Sequence, residues 1–414
     1  MLPISFIRKN KNKVILGLKR RKFSNLKIID SIFKLEKEKI KKILKKKSLL
    51  AKLKKISILI GSNINNRYLI PKATVYKNKL QLLSALLKVL DNKIYHCLIT
   101  LPNIPYKKVN SNKNIFIYQN KKLYYKKNLR PHWELGKKFK LFNLNFASNM
   151  ACSGFNLYLD KGAKLQRSLI QYCLDQNLKA GYIEYVLPFL VNKNSIFGTG
   201  QLPDKKKQMY FLEKDKLYLI PTAEIPLLNV FRRSLFKILD LPFKATSFTS
   251  CFRREAGSYG RKVKCLNRLH QFDKVEIIEI NSDKNSYKSF NYMIRHVKNL
   301  LSSLNLPFRI ISISAKALGF TSALTYDFEV YSPGQEKWLE VSSVSNCTNF
   351  QAHRMGIKFL NKYGKKSFCH TLNGSSLAIP RLFAALIENY QFSDYIQIPK
   401  VLIHYFMDNK ISLN

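Results

Sequence analysis

Two short runs place acids and cations at spacings that could handle a nucleotide. In SCFRREAGSYG, Ser250–Gly260, Arg253 and Glu255 stand two residues apart; NRLHQFDKVEIIEI, Asn267–Ile280, carries Arg268, Phe272 and Glu276. If SFTSCFRREA is a strand, GSYGRKVKC a turn and Asn267–Ile280 the returning strand, alternation puts Arg253 with Glu255 on one face and Arg268, Phe272 and Glu276 on one face. Where those faces coincide, two guanidinium groups, two carboxylates and an aromatic ring converge. Taken singly, an Arg-x-Glu is more often a structural ion pair, and a lone Phe more often a core aromatic. Five such residues on one hairpin point to nucleotide binding. No P-loop and no GxGxxG occurs in the chain, so arginines and a metal ion would have to hold the phosphates in place of backbone amides.

Two further runs add to this set. WLEVSSVSN supplies Glu340 and Ser343, hard oxygen donors suited to Mg²⁺; on a regular strand they face opposite ways, so shared ligation requires a bend. HTLNGSSLAIPRLFAALIENYQ opens a helix in which Pro380 fits the first turn and Leu382, Phe383, Leu386 and Ile387 form the buried stripe. Arg381 then sits where the helix dipole disfavours a cation, and a neighbouring phosphate would offset that cost.

The elements around these residues fall into two blocks. From Lys27 to Ile60, apolar Ile40, Ile43, Leu44, Leu50 and Leu53 recur at helical steps, with 12 lysines against three acidic residues. After a breaker, Gly61–Lys72, a second stripe runs through Leu83, Leu87, Leu90, Ile94 and Leu98 at near coiled-coil spacing, so the two helices are expected to form an antiparallel hairpin. LPNIPYKKVNSNKN reads as a linker. Beyond it, short β-rich runs alternate with helical stretches in hairpin succession, which predicts an α+β domain on an antiparallel sheet.

Composition sets the outer bounds. The 414 residues suffice for a large core, and a formal net charge of +48 suggests a polyanionic partner, although an AT-rich codon bias would produce the same lysine excess. Seven scattered cysteines with no CxxC pair fit a reducing compartment and no structural zinc. No run reaches the length of a membrane span.

The motifs PTAEIPL, SCFRREAGSYGR, HQFDKVE, SSVSN with FQAHRM, and LNGSSLAIPRLFAALIENYQ resemble, in order and spacing, those of bacterial-type seryl-tRNA synthetases, and the likeness extends to GTGQLP, LPNIP and the opening MLPISFIRKN. The N-terminus is therefore expected to belong to the mature chain. The resemblance implies a class II synthetase with a tRNA-binding coiled-coil arm over residues 1–105 and a catalytic domain over 106–414, and a cytoplasmic homodimer paired through GYIEYVLPFLVN around Pro188. It implies activation of L-serine with ATP and Mg²⁺, and transfer to the 3′ end of serine tRNA, with selenocysteine tRNA as a further acceptor.

Carried over residue by residue, the resemblance implies that Thr222, Ala223, Glu224, Arg253, Glu276 and Ser375 bind serine. Arg253, Arg254, Glu255, Arg268, Phe272, Glu340, Val341, Ser342, Ser343 and Arg381 would form the ATP site; Glu340 and Ser343 would hold Mg²⁺, and Arg253, Glu340 and Arg381 would act in catalysis. Three stretches depart from the family pattern: GRKVKC, with Lys262, Lys264 and Cys265; NGSS, with Ser376; and NFQAHR, with Asn349 and His353. None removes an implied ligand. Two other classes remain: a carrier-protein aminoacylating relative, against which the helical hairpin argues, and a non-catalytic RNA-binding descendant, for which loss of Arg253, Glu276 or Arg381 would be expected.

Overall fold

The computed structural model describes residues 1–62, 64–123, 129–204, 207–255 and 265–413. The chain divides into two compact units, Met1–Pro102 and Asn103–Asn414. The expected turn Gly257–Cys265, with Lys262 and Lys264, lies outside the described residues except for Cys265.

In the first unit, short helices α1 (Ile4–Lys9) and α2 (Lys11–Arg20) precede two long ones, α3 (Ile28–Ser62) and α4 (Ile70–Ile99). Thirty-five residues at a helical rise make α3 about 50 Å long. Ile7, Val14 and Leu18 of the short helices are buried together with Ile29 and Ile32 at the root of α3. Farther along, α4 buries Ala73, Leu80, Leu83, Leu90, Ile94 and Leu98, close to a heptad seam.

The expected stripe on α3 needs correction. Ile40, Leu44 and Leu50 are exposed, and Ile56 is buried on the seam, with Ile43 and Leu53 half-buried. A helix with a single antiparallel neighbour covers only a narrow seam, so apolar residues one step aside stay in solvent. The breaker is also shorter than expected: α3 runs to Ser62, a 3₁₀ turn covers Ile64–Leu69, and α4 starts at Ile70 with Pro71 in its first turn, where no amide donor is needed.

The second unit is built on an eight-stranded sheet. Its strands are β1 (Ile115–Gln119), β2 (Ile183–Glu184), β3 (Phe243–Phe252), β4 (Gln271–Asn281), β5 (Phe308–Ser312), β6 (Leu324–Ser332), β7 (Lys337–Asn346) and β8 (His370–Ala378), in the order β1-β5-β6-β7-β8-β4-β3-β2. All neighbours are antiparallel except β2 and β3. Helices α5 (His132–Lys138), α6 (Asp160–Lys179), α7 (Glu224–Asn229), α8 (Ser286–Ser303), α9 (Phe350–Met355) and α10 (Ile379–Asn389) complete the frame that matters for the site. The main core joins α6, α8 and α10 to the sheet, with Leu165, Val297, Val275, Ile277 and Phe383 buried in one cluster. Alternate residues of β3 and β4, Ala245, Ile278 and Ile280, pack with Leu228 and Ala352 in a second cluster.

Strand β8, the edge strand β1 and its neighbour β5 are not foreshadowed by the β-rich runs. The run LNGSS has the composition of a turn, yet it forms a central strand, because Gly374 lets Val344 and Met293 pack closely over its backbone; a Cβ there would lie 3.0 Å from Val344 Cγ2. The segment read as a linker is anchored from Asn103 onward. Asn103 donates from its side chain to the Thr321 and Cys347 carbonyl oxygens at 2.8 Å, and the Tyr106 amide donates to Ala323 O.

Candidate active site

The two runs meet in a cavity of about 390 Å³ on the face of the sheet away from α6 and α8. Strands β3 and β4 pair as expected, with Cys251 opposite Phe272 and Ser247 opposite Glu276, so Phe272 and Glu276 do share a face. The ladder, however, stops at Phe252 and Gln271. Arg253, Glu255 and Arg268 lie beyond it and reach the cavity through irregular backbone, Glu255 at a φ of +49°, rather than through strand alternation. Convergence survives because the two chains stay tied past the ladder: the Arg253 amide donates to His270 O at 2.8 Å, and His270 Nδ1 lies 3.0 Å from Arg253 O.

At the inner end of the cavity, Thr222 and Glu224 open α7 beside Glu276. All three are nearly buried. Lys274, two residues before Glu276 on the same strand, forms an ion pair with it and donates to Thr222 Oγ1 at 3.0 Å; Thr222 Oγ1 lies 3.4 Å from Glu276 Oε2. Gln351 Nε2, from α9, donates to Glu224 Oε1 at 2.5 Å, while its carbonyl oxygen accepts from Thr371 Oγ1. Burial, reinforced by the nearby Glu276 charge, pushes the Glu224 carboxyl up to about 7. Ser375 lies opposite Glu276 in β8, and both Ser375 and Asn373 line the cavity. Ala223 is fully buried and does not line it.

At the outer end the groups are mostly cationic. The Arg253 guanidinium lies 5.0 Å from the centre of the Phe272 ring, and its Nε donates to Pro221 O at 3.3 Å. Arg268 pairs with Glu255. Arg381, in the first turn of α10, donates from Nε to Asn267 O at 3.0 Å and from Nη1 to Glu340 O at 2.9 Å. Arg254 does not belong to this group: it is exposed, does not line the cavity, and its amide donates to Gln208 O.

The bend required between Glu340 and Ser343 is a β-bulge. Ser342 pairs with Phe328 while Glu340 pairs with Glu329, leaving Val341 without an opposite residue. Glu340 and Ser343 therefore stand opposite Glu329 and Asp327, which are two apart on β6 and share a face. Glu340, Val341, Ser342 and Ser343 all line the cavity. Burial first, and then the Glu340 charge, push the Asp327 carboxyl up to about 7.

Lys274, Gln351 and Asp327 are not among the residues that the sequence singles out. The first two lie inside the motifs HQFDKVE and FQAHRM, and strand alternation relative to Glu276 is the signal that could have found Lys274; nothing local marks Asp327.

Three of the departures from the family pattern, Ser376, His353 and Cys265, are accommodated. Ser376 occupies a bulge in β8 and donates to Asn177 Oδ1 at 2.8 Å, so its buried hydroxyl is paired. The His353 ring packs on Phe368, with centroids 3.7 Å apart, and burial lowers its pKa to about 4. Cys265 packs partly against the main core, and burial pushes its thiol up to about 12.

An inner pocket with two carboxylates and one resident ammonium can take a small cationic amine. Three arginines and an aromatic ring lining one cavity, with a carboxylate and hydroxyl beside them, can take a nucleoside polyphosphate and its cation.

Comparisons with known proteins bear on both units. Residues 1–105 match the seryl-tRNA synthetase N-terminal domain, and residues 210–390 match the tRNA synthetase class II core domain (G, H, P, S and T). The chain is 39% identical over 428 residues to a serine–tRNA ligase of Methylacidiphilum infernorum, covering 99% of each, and 37% identical over 422 residues to that of Mycoplasma mobile, covering 99% of this chain and 100% of the relative. Its fold superposes on a crystal structure of seryl-tRNA synthetase from Pyrococcus horikoshii complexed with ATP, with a TM-score of 0.93 and 30% identity, over 100% of both chains.

Proposed function

This chain belongs to the seryl-tRNA synthetase family, and from that premise we propose how its residues divide the work of joining serine to tRNA. It is a serine–tRNA ligase: serine and ATP form seryl-adenylate and pyrophosphate, and the seryl group passes to the 3′ end of serine tRNA.

The observation that carries the assignment of residues is the charge of the inner pocket. With Glu224 and Glu276 ionised and Lys274 protonated, the floor holds one uncompensated negative charge, which a serine ammonium neutralises. Glu224 and Thr222 hold that ammonium, and Glu276 and Ser375 meet the serine hydroxyl. An alanine in the same place leaves these buried polar groups unpaired, which disfavours it. Arg253 spans the two ends of the cavity and holds the serine carboxylate near the α-phosphate. No enzyme nucleophile is needed, because a serine carboxylate oxygen attacks the α-phosphorus and pyrophosphate leaves.

Phe272 stacks on adenine, Glu255 reads its edge, and Arg268 and Arg381 neutralise the departing phosphates. For Arg268 and Glu255 this requires exchanging their mutual ion pair for contacts to the nucleotide. Glu340 and Ser343, on one face through the bulge at Val341, are a fitting hard-oxygen pair for the Mg²⁺ that accompanies ATP, which supplies further charge neutralisation.

The helical hairpin within residues 1–105 serves as the tRNA arm, its lysines meeting phosphates. The exposed apolar side chains Ile183, Val186 and Leu190 around Pro188 support a homodimer through that segment. No helix among the described residues is long and apolar enough to cross a membrane. Seven free cysteines fit the reducing cytoplasm. ATP–pyrophosphate exchange tests the reading. It should respond to serine, weakly to threonine and hardly to alanine; exchange with every amino acid alike, or none with serine, overturns it.

A further inference from the structure

A buried hydrogen-bond system lies behind the outer arginines, and nothing in the adenylation chemistry uses it. Glu388, near the end of α10, is fully buried, and five donors converge on its carboxylate. The backbone amide and ring Nδ1 of His132 each lie 2.8 Å from Oε1, and Gln335 Nε2 donates to the same oxygen at 3.1 Å. The Gly334 amide donates to Oε2 at 3.0 Å, and Ser332 Oγ donates to it as well. Residues 332–335 are the end of β6 and the turn into β7, so Glu388 locks the hairpin that carries Glu340 and Ser343. The turn is seated tightly: a Cβ on Gly334 would lie 2.4 Å from Arg130 O.

Gln335 carries this lock toward the cavity. Its Nε2 lies 3.1 Å from Glu388 Oε1, 2.7 Å from Ser332 Oγ and 3.1 Å from His132 Nδ1; because the carboxylate can only accept, this end of the amide is the donor. Its Oε1 therefore faces Asn267 and accepts from Asn267 Nδ2 at 2.8 Å. Asn267 Oδ1 is buried with no partner among the described residues, so the Asn267 amide hangs from Gln335 alone. The Asn267 carbonyl oxygen holds Arg381 Nε at 3.0 Å, and the next residue is Arg268. The connections close a ring, because α10 carries Arg381 at one end and Glu388 at the other.

We propose that Gln335 is a positioning residue for ATP: locked by Glu388, it fixes Asn267, and through Asn267 it sets Arg381 and Arg268 at the spacing the phosphates require. Gln335 does not line the cavity, so it acts only through these partners. The proposal rests on the reading that the two arginines hold ATP phosphates.

The test is pyrophosphate exchange on the full-length enzyme carrying Gln335→Leu, Asn267→Ala or both, with ATP and serine varied separately and Arg381→Ala measured alongside. Each single change is expected to raise the KM for ATP by about tenfold, the upper range for losing one hydrogen bond, and to leave the KM for serine within about twofold. The double variant should be no worse than the more severe single one, because both changes cut the same path. A purely structural role would lower the active fraction, and with it the apparent kcat, leaving both KM values alone; that result overturns the proposal. So does an equal rise in both KM values. If Arg381→Ala raises the KM for ATP while Gln335→Leu and Asn267→Ala do not, the proposal fails and the reading of the arginines stands. If Arg381→Ala does not raise it, both fail. Should the leucine variant not fold, Asn267→Ala decides alone.

Discussion

Lys274 Nζ lies 3.0 Å from Thr222 Oγ1 and is ion-paired with Glu276, so the inner pocket contains an ammonium of its own before any substrate enters. That charge lets two buried carboxylates share one small space. With Glu224 ionised, it also sets the pocket's balance at a single negative charge, matching one amine.

Removing this counter-ion should be costly. Lys274→Met leaves Glu224 and Glu276 facing each other without compensation, and loss of one partner of a buried pair costs about 3–5 kcal/mol. Thermal denaturation should show a marked drop. A melting temperature equal to that of the parent protein would mean that Lys274 is not the counter-charge.

Serine binding should depend on pH through Glu224. Its carboxyl, raised to about 7, is partly protonated in the free pocket near neutrality, whereas binding the serine ammonium requires the carboxylate. The KM for serine should therefore rise as pH falls through 7 and level off above it. Glu224→Gln should weaken serine binding and flatten this profile. A wild-type profile with no inflection between pH 6 and 8, on the order of one unit either side of that value, would contradict the assignment.

Arg253→Ala should slow adenylation by roughly a hundredfold or more if the guanidinium stabilises charge as a preorganised electrostatic group. Single-turnover formation of seryl-adenylate measures the step directly. Loss of Arg253 also uncovers the Phe272 ring, so a parallel ATP-binding measurement separates stacking from charge.

Charge reversal on the arm should act on tRNA alone. Lys41, Lys45 and Lys52 are exposed on α3, and changing all three to Glu should leave pyrophosphate exchange intact while raising the KM for tRNA. The salt dependence of tRNA binding should become shallower by up to about three in log–log slope, one for each phosphate that is no longer neutralised. Normal charging at every salt concentration would assign these lysines to compositional bias.

Much of the architecture is legible locally. The apolar periodicities of α4, α6, α8 and α10 appear in the sequence because one face of a helix must be buried wherever it packs, and Pro380 marks a helix start because that position needs no amide donor. The pairing of β3 with β4, and hence the shared face of Phe272 and Glu276, follows from strand alternation. The seam of α3 is not legible in this way: where lysines and leucines are mixed, periodicity gives a helix but not which of two adjacent stripes meets its single partner.

What sequence alone determined was the set of chemical groups and the elements that bear them, since local steric and apolar patterning governs both. What only the tertiary structure decided was how those groups meet. The bulge at Val341 turns Glu340 and Ser343 to one face, the chain beyond the β3–β4 ladder brings Arg268 to Glu255, and Gln335 reaches Asn267 across 68 positions of sequence. Each of these depends on partners far apart in the chain, where hydrogen-bond satisfaction of buried polar groups, not local propensity, selects the arrangement.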